Sequence, residues 1–299
     1  MNILITGGTG FIGSHLVKAL LAQQHTIVLQ CRDFAKAQAM YGDQVQLVYH
    51  FHEIAQPIDA VINLAGEPII GKRWSRKRKR KLRSSRVGIT RHLIQWISEC
   101  EHKPHYLISG SAIGYYGNYP EDNELDEQAR PRSCFPSELC QKWEFEALKA
   151  KALGMRVCLL RTGVVLDRHA GALQKMWLPF SLGLGGKVAS GQQWLSWIHI
   201  DDMVSAILFL LEHPIEGPVN ATAPNPVSYL TFTQSLANTM SRPHLAPMPG
   251  WVLKLLLGEA SQLLIEGQKV VPKALENAGF EFAFADIDSA LEQIVHHRD

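Results

Sequence analysis

An α/β fold built on a doubly wound parallel sheet, with a smaller C-terminal lobe, is what this sequence predicts, and three observations predict it. Short apolar runs alternate with segments of helical period along the first half of the chain, the pattern of a parallel sheet covered by helices. A glycine-rich turn, "TGGTGFIG" at residues 6 to 13, joins the first apolar run directly to the first helical segment. After residue 165 the character changes to glycine-rich loops and shorter helical stretches. A doubly wound core followed by a smaller lobe accommodates all three.

The elements follow in order. "NILITG" is a short apolar strand, and "FIGSHLVKALLAQQ" carries its apolar residues at helical spacing. "TIVLQC", "VQLVYH", "DAVINLAG" and "HYLISGS" read as further strands. A helix is expected over 87 to 100. "SCFPSELCQKWE" opens another, with Ser133 placed to cap it and Pro136 in its first turn. The strand "RVCLLRTG" continues the winding, and "LSWIHIDDMVSAILFLLE" reads as strand into helix with Asp201 or Asp202 as cap. These elements divide the chain into a nucleotide-binding core over 1–165, completed by about 197–222, and a smaller lobe from 166–196 and 223–299. Such a lobe would sit over the carboxyl edge of the sheet, where ligands of open α/β sheets bind.

With 299 residues, 46% of them hydrophobic and 19% charged, the chain suffices for one large domain or a domain with a smaller lobe. Met1 and Asn2 lead at once into "ILITGG", with neither a charged leader nor an apolar segment of spanning length, so a cytoplasmic protein without a membrane span is expected. The five cysteines are odd in number and lack CxxC or histidine spacing, which points to reduced thiols and to no metal site. Charge is uneven: ten of the 30 Lys and Arg residues fall in "KRWSRKRKRKLRSSR", 72 to 86, which has no acid, leaving the remainder at 20 − 28 = −8. Such a run reads as a solvated helix face, as a surface for nucleic-acid or membrane phosphates, or as a source of one or two arginines for a bound phosphate. Trp74 is its one aromatic residue, so base stacking is poorly supported and nucleic acid is not the expected partner.

The glycine turn is the strongest indicator of function. Gly7, Gly10 and Gly13 give the spacing GxxGxxG, which permits a tight turn, brings backbone N–H groups to a pyrophosphate at the positive end of a helix, and lets helix and sheet approach closely. Thr9, Phe11 and Ile12 belong to the same cradle. The end of the second strand selects the dinucleotide: an acid binds a ribose 2′-hydroxyl, an arginine a 2′-phosphate. Cys31 and Arg32 stand there, favouring NADP over NAD, although Asp33 one place on would restore an acid. Leu64, Ala65 and Gly66, in "NLAG", end a strand where the cofactor should pass. Ser109 and Thr162 lie near carboxyl ends of strands and read as cofactor contacts. Arg86, taken as the start of the 87–100 helix, is placed to reach a phosphate bidentately, its charge opposing the helix dipole.

These residues carry a family likeness. "TGGTGFIG", "DAVINLAGEPI", "SGSAIGYYG", "LLRTGVVL", "PFSLGLGG", "GQQWLSWIHIDD", "NATAPNPV" and "EGQKVVP" together resemble the atypical extended short-chain dehydrogenase/reductases of the epimerase-like SDR39U1 group, also called the YfcH family. The likeness runs nearly end to end and includes a C-terminal segment, roughly 250–296, similar to that group's own terminal domain. It implies an NADP-type Rossmann core and kinship with sugar-nucleotide epimerases, without a substrate. The basic run departs from it, since acids would be expected among positions 76 to 81.

Typical extended members carry Tyr-x-x-x-Lys on the helix opened by "SCFPSELCQKWE", because residues four apart share a face and the ammonium lowers the phenol's pKa. Here the pair becomes Phe135 and Leu139, or Pro136 and Cys140, depending on alignment; Lys142 fits neither. Ser111 matches the hydroxyl that hydrogen-bonds the reacting oxygen in related enzymes, and Tyr116, or Tyr115, is the nearest phenol. His199 is expected to pack in ordinary strand register. Three readings follow: an NADP-dependent oxidoreductase or epimerase-like enzyme with a rearranged proton relay through Ser111 and Tyr116, a catalytically degenerate NADPH sensor, and an anionic-surface protein acting through residues 72 to 86.

Overall fold

A computed structural model describes residues 1–119 and 122–296. Its core strands are β1 (Asn2–Thr6), β2 (Thr26–Gln30), β3 (Gln46–Val48), β4 (Ala60–Asn63), β5 (Tyr106–Ala112), β6 (Arg156–Thr162) and β7 (Gly217–Ala221). They form one parallel sheet in the order β7-β6-β5-β4-β1-β2-β3. The order reverses between β1 and β4, which opens the crevice where doubly wound sheets bind ligands. Helices cover both faces, so β4 is buried along its whole length and its sequence is apolar up to Asn63.

Strand alternation sorts the core. Ile3 and Ile5 point to the face covered by α1 (Phe11–Ala22) and α7 (Ile200–Glu212), packing with Leu16, Leu20, Met203 and Ile207. Leu4 points the other way, with Val61 and Leu107, against α4 (Ile89–Glu99) and α5 (Phe135–Leu148). A third cluster is separate: Leu173 and Phe180 of α6 (Gly171–Ser181), Phe232 and Leu236 of α8 (Tyr229–Thr239), and Leu291 and Ile294 of the helix Ile287–His296 gather with Trp197. The last three residues of the lobe expected over 223–299 lie outside the described residues.

Three local expectations are corrected. Arg86 does not start a helix: α3 (Arg76–Arg83) runs through a π-type stretch, Ser84–Gly88, into α4, so Arg86 sits within continuous helix and opposes no helix end. Cys134, not Ser133, is the N-cap of α5, with Pro136 in the first turn as expected and no side-chain cap bond. His199 caps α7, its Nδ1 accepting from the Asp201 N–H at 3.1 Å. Asp202 instead accepts the Ala283 and Phe284 N–H groups, each at 2.9 Å, and so staples the C-terminal segment to the core. Among the described residues no helix is long and apolar enough to cross a membrane.

Candidate functional site

The glycine turn is built by close approach. Gly7 has φ +77°, and a Cβ on it would lie 2.7 Å from the backbone carbonyl of Leu64 and 2.8 Å from the Ala65 nitrogen. A Cβ on Gly13 would meet the Gly7 carbonyl oxygen at 2.3 Å. The turn closes through the Gly10 N–H donating to Gly7 O at 2.9 Å. Gly10 then caps α1 with no side-chain acceptor and no acid in the first turn, so the leading N–H groups around Phe11 and Ile12 stay open to an anion. Helix α2 (Phe34–Tyr41) braces the loop from behind, with Lys36 Nζ donating to Thr9 O at 2.8 Å and Tyr41 donating to Gly8 O at 2.6 Å. Burial pushes the Tyr41 phenol up to about 12, which keeps it a donor.

Beyond β2, the Cys31 N–H extends the ladder to Val48 O at 3.0 Å while its thiol is buried, with a pKa raised by that burial. Arg32 is exposed. Asp33 is occupied as the N-cap of α2, accepting from the Lys36 N–H at 3.0 Å. Among the described residues, the arginine and not the acid is therefore the unengaged charge at this strand end.

At the other side of the crevice, Leu64 donates its N–H to Thr6 O at 3.0 Å, and the Ala65 N–H reaches Thr6 Oγ1 at 3.3 Å. Leu64 and Ala65 thus lie directly against Gly7. Arg86 reaches the same place through the π-type stretch. Its guanidinium is 3.1 Å from where a Cβ on Gly66 would be and lies over the Trp143 ring at 5.3 Å, and its Nη1 is buried without a hydrogen-bond partner among the described residues. Burial lowers its pKa, so a guanidinium here gains by meeting an anion. An open helix terminus, a Gly7–Leu64 contact no side chain would permit and an orphaned guanidinium N–H fit a dinucleotide diphosphate.

The carboxyl ends of β5 and β6 hold a buried polar network. Ser111 donates to Glu144 Oε1 at 2.6 Å, and Arg161 grips the same carboxylate through Nε and Nη2, each at 2.9 Å. Arg161 also donates to Tyr116 Oη and to Glu127 O, each at 3.1 Å, and lies 3.5 Å over the Tyr115 ring. Burial works against the charge of Arg161, but the Glu144 carboxylate more than offsets it and its pKa is raised. Cys140 contacts Ser111, and burial pushes its thiol up to about 12.

Two expected site residues are placed otherwise. Tyr116 is fully buried and donates to Asn220 Oδ1 at 2.6 Å, so its phenol belongs to the framework under the site; burial raises its pKa to about 12. Ser109 is also fully buried, accepting from Asn63 Nδ2 at 3.4 Å within a chain that links Thr6, Asn63, Thr90 and Trp143. Thr162 is half-buried at the end of β6, with its hydroxyl turned back to Leu160 O at 3.4 Å. Lys142 is exposed and outside the site, and His199 is buried beside Phe284 with Nε2 on Gln293. Sequence reasoning missed Glu144 and Arg161. The signal was an arginine inside the apolar strand "VCLLRTG", since a charge there demands a buried partner.

Known proteins resemble this chain in sequence and fold. A model of the NAD dependent epimerase/dehydratase family matches residues 3–222, and one described as a domain of unknown function, DUF1731, matches residues 248–294. The chain is 40% identical to the epimerase family protein SDR39U1 homolog, chloroplastic, of Arabidopsis thaliana, over 99% of this chain and 87% of the relative. It is 38% identical to the epimerase family protein YfhF of Bacillus subtilis, over 100% of this chain and 99% of the relative. The crystal structure of human epimerase family protein SDR39U1 (isoform 2) with NADPH superposes with a TM-score of 0.89 at 31% identity, covering 100% of both chains.

Proposed function

We propose that this chain, which belongs to the NAD dependent epimerase/dehydratase family and within it to the SDR39U1 group, binds NADP(H) and acts on a small carbonyl or hydroxyl compound. The observation that carries the reading is the joint of Gly7 against Leu64 and Ala65, which leaves the amino end of α1 open at the reversal point of the sheet. There the N–H groups of residues 11 to 13 and the Arg86 guanidinium would hold the diphosphate side. Arg32 would meet the 2′-phosphate, in keeping with the NADPH of the human relative. The nicotinamide, once bound, supplies a hydride donor or acceptor. Ser111 then orients the reacting oxygen of the substrate, and a proton arriving at its Oγ can pass to the Glu144 carboxylate that already accepts its hydrogen bond.

Titration of the purified chain with NADPH and NADH, with Arg32→Ala alongside, tests the binding half. NADPH should bind more tightly than NADH, and Arg32→Ala should weaken NADPH by about tenfold or more while sparing NADH. Equal affinities, or none, would end the reading. One observation favours a second reading, an NADPH-binding module without turnover: α5 bears no tyrosine, and Cys140 on the same helix is a buried thiol pushed up to about 12. Substrate-dependent NADPH oxidation that drops with Ser111→Ala separates the enzyme from that module.

A further inference from the structure

The basic run and the C-terminal segment meet on one surface. Helix α9 (Gly250–Leu257) buries only Leu253 and turns Trp251, Leu255 and Leu256 outward, at 68%, 66% and 61% exposure. Large apolar side chains in such a row need a reason on a folded chain. The helix is held rigidly against the basic segment: Arg73 donates to Leu255 O at 2.9 Å, and Lys79 pairs with Glu259 at 2.6 Å. Beneath them Trp74, Leu82, Phe135 and Ala260 share one core with Leu257.

The cations around this core divide into two groups. Glu67 neutralises Arg78 and Lys81, and Glu259 takes Lys79. Lys72, Arg76, Lys77 and Arg80 are exposed and, among the described residues, have no acidic partner. Arg76 and Arg80 lie one turn apart on a single helix face. An exposed tryptophan and two leucines thus lie on a helix tied through Arg73 to the segment that carries these four cations, which have no acidic partner among the described residues, on a chain whose remainder carries net negative charge.

We propose that this face docks on the surface of an anionic lipid bilayer. Each half of the patch has its counterpart there: lipid phosphates and carboxylates for the cations, and the boundary of headgroups and acyl chains for Trp251, Leu255 and Leu256. Nucleic acid would satisfy the charges but offers no solvent for two exposed leucines. The negative remainder of the chain, repelled by the same lipids, turns the basic face toward them. No described helix spans a membrane, so the contact is peripheral and reversible.

Co-sedimentation of the full chain with phosphatidylcholine vesicles, with and without about 30% phosphatidylserine, tests it. The chain should partition onto the anionic vesicles only, and less as salt rises. Arg76→Ala with Arg80→Ala should weaken binding by about 25-fold, at about fivefold for each charge. Trp251→Ser with Leu255→Ser should weaken it by about tenfold or more. Both pairs lie on the surface, and unchanged NADPH affinity and thermal midpoint would show that they fold. Equal binding to neutral vesicles, no binding by the parent chain, or indifference to either pair would overturn the proposal. So would a dimer closed through Trp251, or tight binding to a DNA duplex with vesicles ignored.

Discussion

The Glu144–Arg161 pair sets the geometry of Ser111, and its energetics can be worked from the contacts. Glu144 is 5% exposed and Arg161 3%, and two 2.9 Å bonds join them. Arg161→Leu leaves the carboxylate buried with only the Ser111 hydroxyl, and Glu144→Leu leaves the guanidinium with a phenol and a carbonyl. Each single change should cost about 3–5 kcal/mol, because an ion stripped of its partner stays desolvated. The double replacement removes both charges. It orphans only the Ser111 hydroxyl and the Glu127 carbonyl, since Tyr116 keeps Asn220, and should cost about 2–4 kcal/mol. Urea unfolding of the four chains, compared at constant m-value, reads this as a coupling of about 2 kcal/mol or more. Strictly additive losses, or single losses under about 1 kcal/mol, would refute the claim that the pair is a closed buried unit.

Arg86→Met removes the orphaned Nη1, so the cofactor-free chain should keep or gain stability, by up to about 2 kcal/mol, while NADPH affinity falls about tenfold; a stability loss by differential scanning calorimetry would show that the guanidinium has a structural partner. Gly13→Ala drives a Cβ into the Gly7 carbonyl and should cost about 1–3 kcal/mol in thermal unfolding and displace the turn, so an unchanged affinity for NADPH would contradict the cradle. Burial holds the His199 imidazole below its ordinary pKa, so the unfolded chain takes up the proton first. Stability from this group is intact above about pH 6.5 and declines as pH falls, by at most about 1.4 kcal/mol per unit. His199→Asn, which keeps a capping acceptor, should flatten that part of the melting profile, and an identical profile would remove the assignment. Cys140, with its thiol near 12 and buried, should resist iodoacetamide in the folded state, and rapid labelling at neutral pH would reveal an activated thiolate.

Much of the scaffold was readable before folding, for reasons that are local. Alternating apolar runs and helical periods define the sheet and its covering helices, and Gly7, Gly10 and Gly13 mark a turn that only glycine can make. The placement of Arg86 was less accessible, because nothing local distinguishes a helix start from a π-type stretch inside a continuous helix. Tyr116 looked available because it follows a strand, yet Asn220, 104 residues later, claims its hydroxyl.

What the sequence by itself determined is therefore the sheet, the glycine turn and the arginine past the second strand, all consequences of period, steric freedom and neighbours along the chain. Only the tertiary structure decided which polar side chains face the crevice and which are consumed beneath it. It joined Ser111 to Glu144 and Arg161, and tied α9 to the basic segment through Arg73. The reason is physical: a buried charge or an exposed leucine is defined by what surrounds it, and those surroundings come from segments far apart in the chain.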